Sequence, residues 1–173
     1  SLLQRTRERF RDPATRFAAT LVAYLALIGV LFNGVILRYQ RDLLMQAAEA
    51  TAGLVYLLMR VFSDEVEWQG AAITVGHFSG SVIPECVGTL EILIFLAAVL
   101  AYPATWRQRV PGLLLGPVLI VAFNVVRLVC LMFMGYYSFV AFEFLHVYLW
   151  QTTLIVLIVA LWLVWLRVFV RST

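Results

Sequence analysis

The sequence predicts an all-α polytopic membrane protein, with about four transmembrane helices, an amphipathic helix and a short extracytoplasmic hairpin. Three observations carry that prediction. Of 173 residues, 63% are hydrophobic and 13% charged, more apolar surface than a soluble core of this length can bury, so lipid must cover the remainder. Four runs are long and apolar enough to cross a hydrocarbon core about 30 Å thick, which takes about 20 helical residues. The basic residues, all arginine with no lysine, gather at the ends of those runs.

The first span is expected over residues 17 to 37, behind Arg5, Arg7, Arg9, Arg11 and Arg16. A basic cluster directly before an apolar run orients a membrane helix, which makes nucleic acid a poor explanation for the net charge of +3. No stretch resembles a cleaved signal peptide. The segment 43 to 62 is amphipathic: Asp42, Gln46, Glu49, Gly53, Tyr56 and Arg60 recur at three- and four-residue steps as one stripe on an otherwise apolar helix. It either lies on the membrane or spans with its stripe toward the bundle.

Arginine placement separates these two topologies. With 43 to 62 kept on the outer side, both termini are cytoplasmic and the arginines divide nine inside to three outside; if it spans, they divide six to six. Residues 63 to 85 then form an extracytoplasmic excursion, in which Ile73, Val75, Val82 and Ile83 flank a turn over Gly76-His77-Phe78-Ser79-Gly80. The remaining spans are expected over 87 to 104, 112 to 133 and 147 to 166. The chain reads as one membrane-embedded domain, 1–173.

Counting along these spans brings three reactive side chains to one face of the bilayer. Cys86 opens the second span from outside, and Arg127 lies about 24 Å above the inner boundary near Pro111. His146 lies about 31 Å from Arg167. Thiol, guanidinium and imidazole together suit cysteine acyl transfer. At a helix start, unpaired amides and the macrodipole favour a thiolate at Cys86, with Arg127 assisting and Glu85 opposing. Arg127 among Phe123, Val126 and Leu128 is costly near hydrocarbon and is a functional candidate with a partner, or else a clamp on a lipid phosphate. Asn124, one turn earlier on the same face, offers a further donor. Gly88 leaves room for a substrate backbone, and Glu143 is placed to orient the His146 ring. His77 reads as a turn residue and Cys130 as a packing thiol.

Other chemistries fit less well. Cys86 and Cys130 are not a Cys-X-X-Cys pair, and His77, Cys86, Cys130 and His146 match no metal-ligand spacing. No Gly-X-Ser-X-Gly motif or intramembrane Asp pair is present. A non-enzymatic membrane scaffold and a thiol-redox membrane protein are the alternatives to an enzyme of acyl transfer.

Glu85-Cys86-Val87-Gly88 at a helix start, Asn124-Val125-Val126-Arg127-Leu128 in the next span and His146 opening the last resemble the exosortase/archaeosortase family of membrane cysteine transpeptidases, over roughly residues 65 to 167. This chain has Cys86-Val87-Gly88 where many members carry Cys-Ser-Gly or Cys-Thr-Gly, and about four expected spans where many have about eight, so this would be a compact form. The resemblance implies a protease or transpeptidase in the cytoplasmic membrane of a prokaryote, with its active site at the extracytoplasmic face. Its partner would be a membrane-anchored protein with a C-terminal sorting signal: a short motif, a transmembrane helix and a basic tail. Carried over, Cys86 is the nucleophile, Arg127 the stabiliser and His146 the acid/base, supported by Asn124, Gly88 and Glu143. The chemistry needs no metal or organic cofactor.

Overall fold

The computed structural model of the chain describes residues 12–32, 34 and 41–171. The Arg5 to Arg11 cluster, the end of the 17 to 37 span and Arg38 lie outside the described residues. Helix α1 (Pro13–Leu31) begins where Asp12 accepts the Ala14 N–H at 3.4 Å and Pro13 occupies the first turn. Helix α2 (Arg41–Met59) buries Leu44, Ala48, Ala52, Val55 and Met59, an i, i+4, i+7 stripe that turns Asp42, Gln46 and Glu49 outward. It is not among the helices long and apolar enough to cross a membrane, in keeping with its amphipathic reading.

The excursion folds into a three-stranded antiparallel sheet, β1 (Val66–Gln69), β2 (Ala72–Val75) and β3 (Phe78–Ser81), in that spatial order. This replaces the short hairpin expected there. The turn is Gly76-His77 alone, and Phe78 to Gly80, assigned to the turn from sequence, are paired strand. Both two-residue turns begin with a glycine at positive φ, Gly70 at 58° and Gly76 at 54°, as a type II′ hairpin requires. One face of the sheet, with Val66, Ile73 and Val75, is buried against α2 and α4.

Helix α3 (Thr89–Ala101) is 13 residues long, shorter than the expected span 87 to 104. Gly88 enters it in the left-handed region at φ 86°, and Tyr102 leaves it extended before Pro103. Helix α4 (Trp106–Tyr137) has 32 residues, about 48 Å at helical rise, and overruns the expected 112 to 133 at both ends. It starts at a Thr105/Gln108 capping box and continues through Pro111 and Pro117. The carbonyl that Pro111 leaves unpaired belongs to Arg107, an exposed residue of the first turn. The last run begins with α5 (Phe139–Phe144), capped by Ser138. It widens into a π-helical segment at Leu145–Leu149, continues as α6 (Trp150–Trp165) and ends in a second π segment, Leu166–Val170.

Among the described residues three helical runs are long and apolar enough to cross a membrane, Pro13–Leu31, Trp106–Tyr137 and Thr152–Val170, with shorter apolar helices at Thr89–Ala101 and Phe139–Tyr148. Val22, Leu27, Val30, Leu114, Val118 and Val156 stand on the outside, which suits a multi-pass protein solvated by lipid. Among the described residues two cores hold the helices. Near the start of α4, Gly112 admits the Trp165 indole and Gly116 the Phe95 ring, and Trp165 Nε1 donates to the Gln108 carbonyl at 2.8 Å. At the other end, the sheet lies on α4: Gly76 meets Tyr136, Phe78 meets Gly135 and Gly80 meets Met132. Continuing to Gly88, which meets Asn124, the chain descends antiparallel to α4.

Candidate active site

Cys86 closes a short 3-10 turn, Pro84–Cys86, in which its N–H donates to the Ile83 carbonyl at 2.8 Å. It therefore precedes α3 instead of opening it, because Gly88 holds the cap position between them. The side chain is half-buried. Burial pushes the thiol pKa up, Arg127 and a main-chain contact at Ile83 pull it down, and Glu85 and Glu91 add to the upward push. The balance is upward, so the resting group is a protonated thiol. This corrects the expectation of a thiolate stabilised by a helix terminus: the sulfur sits outside the first turn of α3 and beneath the sheet, where desolvation dominates.

Asn124 joins Cys86 to Arg127. It is 1% exposed; its Nδ2 donates to the Cys86 carbonyl at 2.6 Å, and its Oδ1 accepts from Arg127 Nη1 at 3.2 Å. Gly88 belongs to this junction as well, since a Cβ there would rest against the Asn124 side chain. Its φ of 86° and that contact explain the glycine better than the expected approach of a substrate backbone.

Arg127 is 8% exposed. Among the described residues its hydrogen bond to Asn124 stands alone, and its Nε is buried without a partner. An uncompensated guanidinium in such a place costs several kcal/mol. It also lies deeper than expected, with α4 running ten residues beyond it to Tyr137, about 15 Å. Cys86 reaches it because residues 76 to 88 descend along α4, not because Arg127 rises to a helix end.

His146 is exposed and lies in the π-helical segment, well inside a helical run that begins at Phe139, so it does not open the last span. Its ring stacks on Phe142, with centroids 5.5 Å apart and planes at 16°. Among the described residues no hydrogen bond or ion pair joins it to Glu143, which is exposed; an aromatic face, not a carboxylate, orients the imidazole. Cys86 and His146 line one cavity of about 70 Å3, with Gly80, Ser81, Leu128 and Met132 among its other walls. Phe142 was absent from the sequence reading, although its place one turn before His146 marks it as a same-face neighbour.

The other singled-out residues fall elsewhere. His77 is in the β2–β3 turn with its ring 5.1 Å from that of Tyr136. Cys130, one turn after Arg127 on α4, is exposed, pointing outward instead of packing, and both cysteines are free thiols. Cys86, Asn124 and Arg127 are thus connected directly, and His146 approaches Cys86 across the cavity.

No curated protein and no solved structure matches the chain. The profile of the family described as Transmembrane exosortase (Exosortase_EpsH) matches residues 10–163, a stretch that takes in the whole Cys86, Asn124, Arg127 and His146 arrangement, and the chain belongs to that family.

Proposed function

We propose that the chain is a membrane cysteine transpeptidase or protease that cleaves C-terminal sorting signals of exported proteins through a thioester at Cys86. The observation that carries this reading is the buried guanidinium of Arg127. It has no carboxylate partner among the described residues and is tied through Asn124 to the main chain of Cys86. A cation kept in such a place at a cost to the fold suits negative charge that appears only during reaction.

In this mechanism His146 takes the Cys86 proton as the sulfur attacks a peptide carbonyl, forming the S–C bond and moving charge onto oxygen. Arg127 receives the oxyanion. Collapse breaks the C–N bond, and His146 returns the proton to the departing amine, so the membrane tail leaves. Water, an amine or a lipid then attacks the thioester, and Cys86 recovers its proton through His146. Because the resting thiol is protonated, a base is needed at the first step, and His146 is the imidazole that shares the Cys86 cavity. Asn124 and Gly88 act as positioning residues, and Phe142 orients the His146 ring. No cofactor enters. The arginine distribution favours the end that carries the sheet and Cys86 as the extracytoplasmic face of a prokaryotic cytoplasmic membrane.

The test compares Cys86→Ala with Cys130→Ala in cells that lack their own copy of the gene. Mass spectrometry of exported membrane-anchored proteins should show C-terminal tails retained with Cys86→Ala and removed with Cys130→Ala. The opposite pattern would remove Cys86 as nucleophile.

A further inference from the structure

The free edge of β3 leads into the cavity that holds Cys86. In the sheet order β1-β2-β3 only one side of β3 is paired. Val75 and Phe78 close a two-residue turn, so they form a hydrogen-bonded pair, and such pairs alternate along an antiparallel ladder. Gly80 is therefore the next residue bonded to β2, and the Val82 N–H continues the series to the Ala71 carbonyl at 2.8 Å. The main-chain groups of Ser79 and Ser81 point the other way. Both residues are exposed, and among the described residues no hydrogen bond reaches their N–H or C=O on that side.

Unpaired strand edges accept extended peptides through main-chain bonds, with alternate side chains setting specificity. This edge is not blunted by proline, lysine or a bulge, and its Ser-Gly-Ser sequence leaves the approach open. Ser81 and Gly80 line the same cavity as Cys86 and His146, so a strand laid here passes directly to the sulfur.

We propose that the substrate segment preceding the cleaved bond binds as a fourth strand on the Ser79–Ser81 edge, parallel to β3. The direction follows from the descent of residues 76 to 88 along α4: β3 runs N to C toward Cys86 and the membrane. A substrate whose transmembrane helix follows the cleaved bond must run the same way. Its inward side chains, one in two, face the narrow cavity walled by Met132 and Leu128, which selects small groups there, and the others face solvent. This rests on the transpeptidase reading, which the experiment checks first.

The probe is the set of exported membrane-anchored proteins whose C-terminal processing requires Cys86 in complemented cells. An empty set overturns the transpeptidase reading and this one with it. Given such a set, Ser81→Pro removes the outward N–H and leaves the β2 pairing intact, as edge strands allow; Ser81→Ala, which keeps the N–H, is the reference. Pulse-chase processing should be slower by at least about tenfold in Ser81→Pro than in Ser81→Ala, with the thermal midpoint and the pH profile of Cys86 alkylation the same in both. Equal rates would overturn the strand reading while leaving Cys86 as nucleophile. Should Ser81→Pro not fold, Ser79→Cys decides: disulfide trapping against cysteines walked through one member of the set, upstream of its cut, should succeed at every second position. Trapping without that alternation overturns the proposal.

Discussion

Asn124 donates to the carbonyl of Cys86 across 2.6 Å, although 38 residues separate the two in the chain. The bond fixes the turn that carries the sulfur, and the other end of the same amide holds Arg127. Asn124→Ala should therefore lower turnover by about 10- to 100-fold through misplaced groups and cost ~1 to 3 kcal/mol of stability from the orphaned carbonyl. Single-turnover rates and thermal unfolding in detergent check both. Wild-type turnover in Asn124→Ala would show that the junction does not position the site.

The Cys86 thiol is pushed up by burial and held back by Arg127. Alkylation by a small reagent should accordingly be slow at neutral pH and rise through a midpoint above that of a free thiol. Removing the cation in Arg127→Gln removes a downward influence, so the midpoint should move higher still. A midpoint below the free-thiol value, or one that falls in Arg127→Gln, contradicts the assignment of these charges.

Arg127→Met should abolish processing while leaving the thermal midpoint at or above wild type. The substitution exchanges a buried, uncompensated charge for an apolar chain of similar length. A large loss of stability would instead mark Arg127 as structural.

Gly116 faces the Phe95 ring, and a Cβ there would collide with it. Gly116→Ala should cost about 1 to 3 kcal/mol by overpacking, measured by thermal unfolding, with the pH profile of Cys86 alkylation unchanged because the two cores are separate. A shifted profile would show that they are coupled.

Orientation is checked on a cysteine-less background. Ser79→Cys should react with an impermeant maleimide from outside and Arg107→Cys, an exposed residue of the opposite turn, only after permeabilisation. Reverse labelling would invert the proposed topology.

The apolar spans were legible because length and hydropathy are local properties, but the depths counted from helical rise were not: Cys86 precedes α3, Arg127 lies ten residues before the end of α4 and His146 lies inside a helical run. Nor were contacts made across the chain. Val66–Gln69 carries Glu67 and Gln69, and only pairing with β2 makes it a strand. Pro111 reads as a boundary in sequence, yet α4 starts five residues before it and runs through it, because the carbonyl it leaves unpaired belongs to the exposed Arg107. Gly88 reads as room for a substrate backbone, and only its positive φ shows that it ends the turn of Cys86 and begins α3. The π-helical segment around His146 has no sequence signature, so the imidazole was placed at a helix start it does not occupy.

Helix α4 also works as a ruler with a phase. Asn124, Arg127, Leu128, Leu131, Met132 and Gly135 fall on one face because each step turns the helix by about 100°. One residue inserted between Arg127 and Leu131 would leave every span long enough for the bilayer, yet it would rotate the sheet-bearing end out of register with the guanidinium. Seven residues would restore the angle almost fully but lift the sheet about 10 Å from the sulfur. Length in this stretch is therefore fixed more tightly than residue identity, and an exchange of one apolar side chain for another should be far milder than any change in their number.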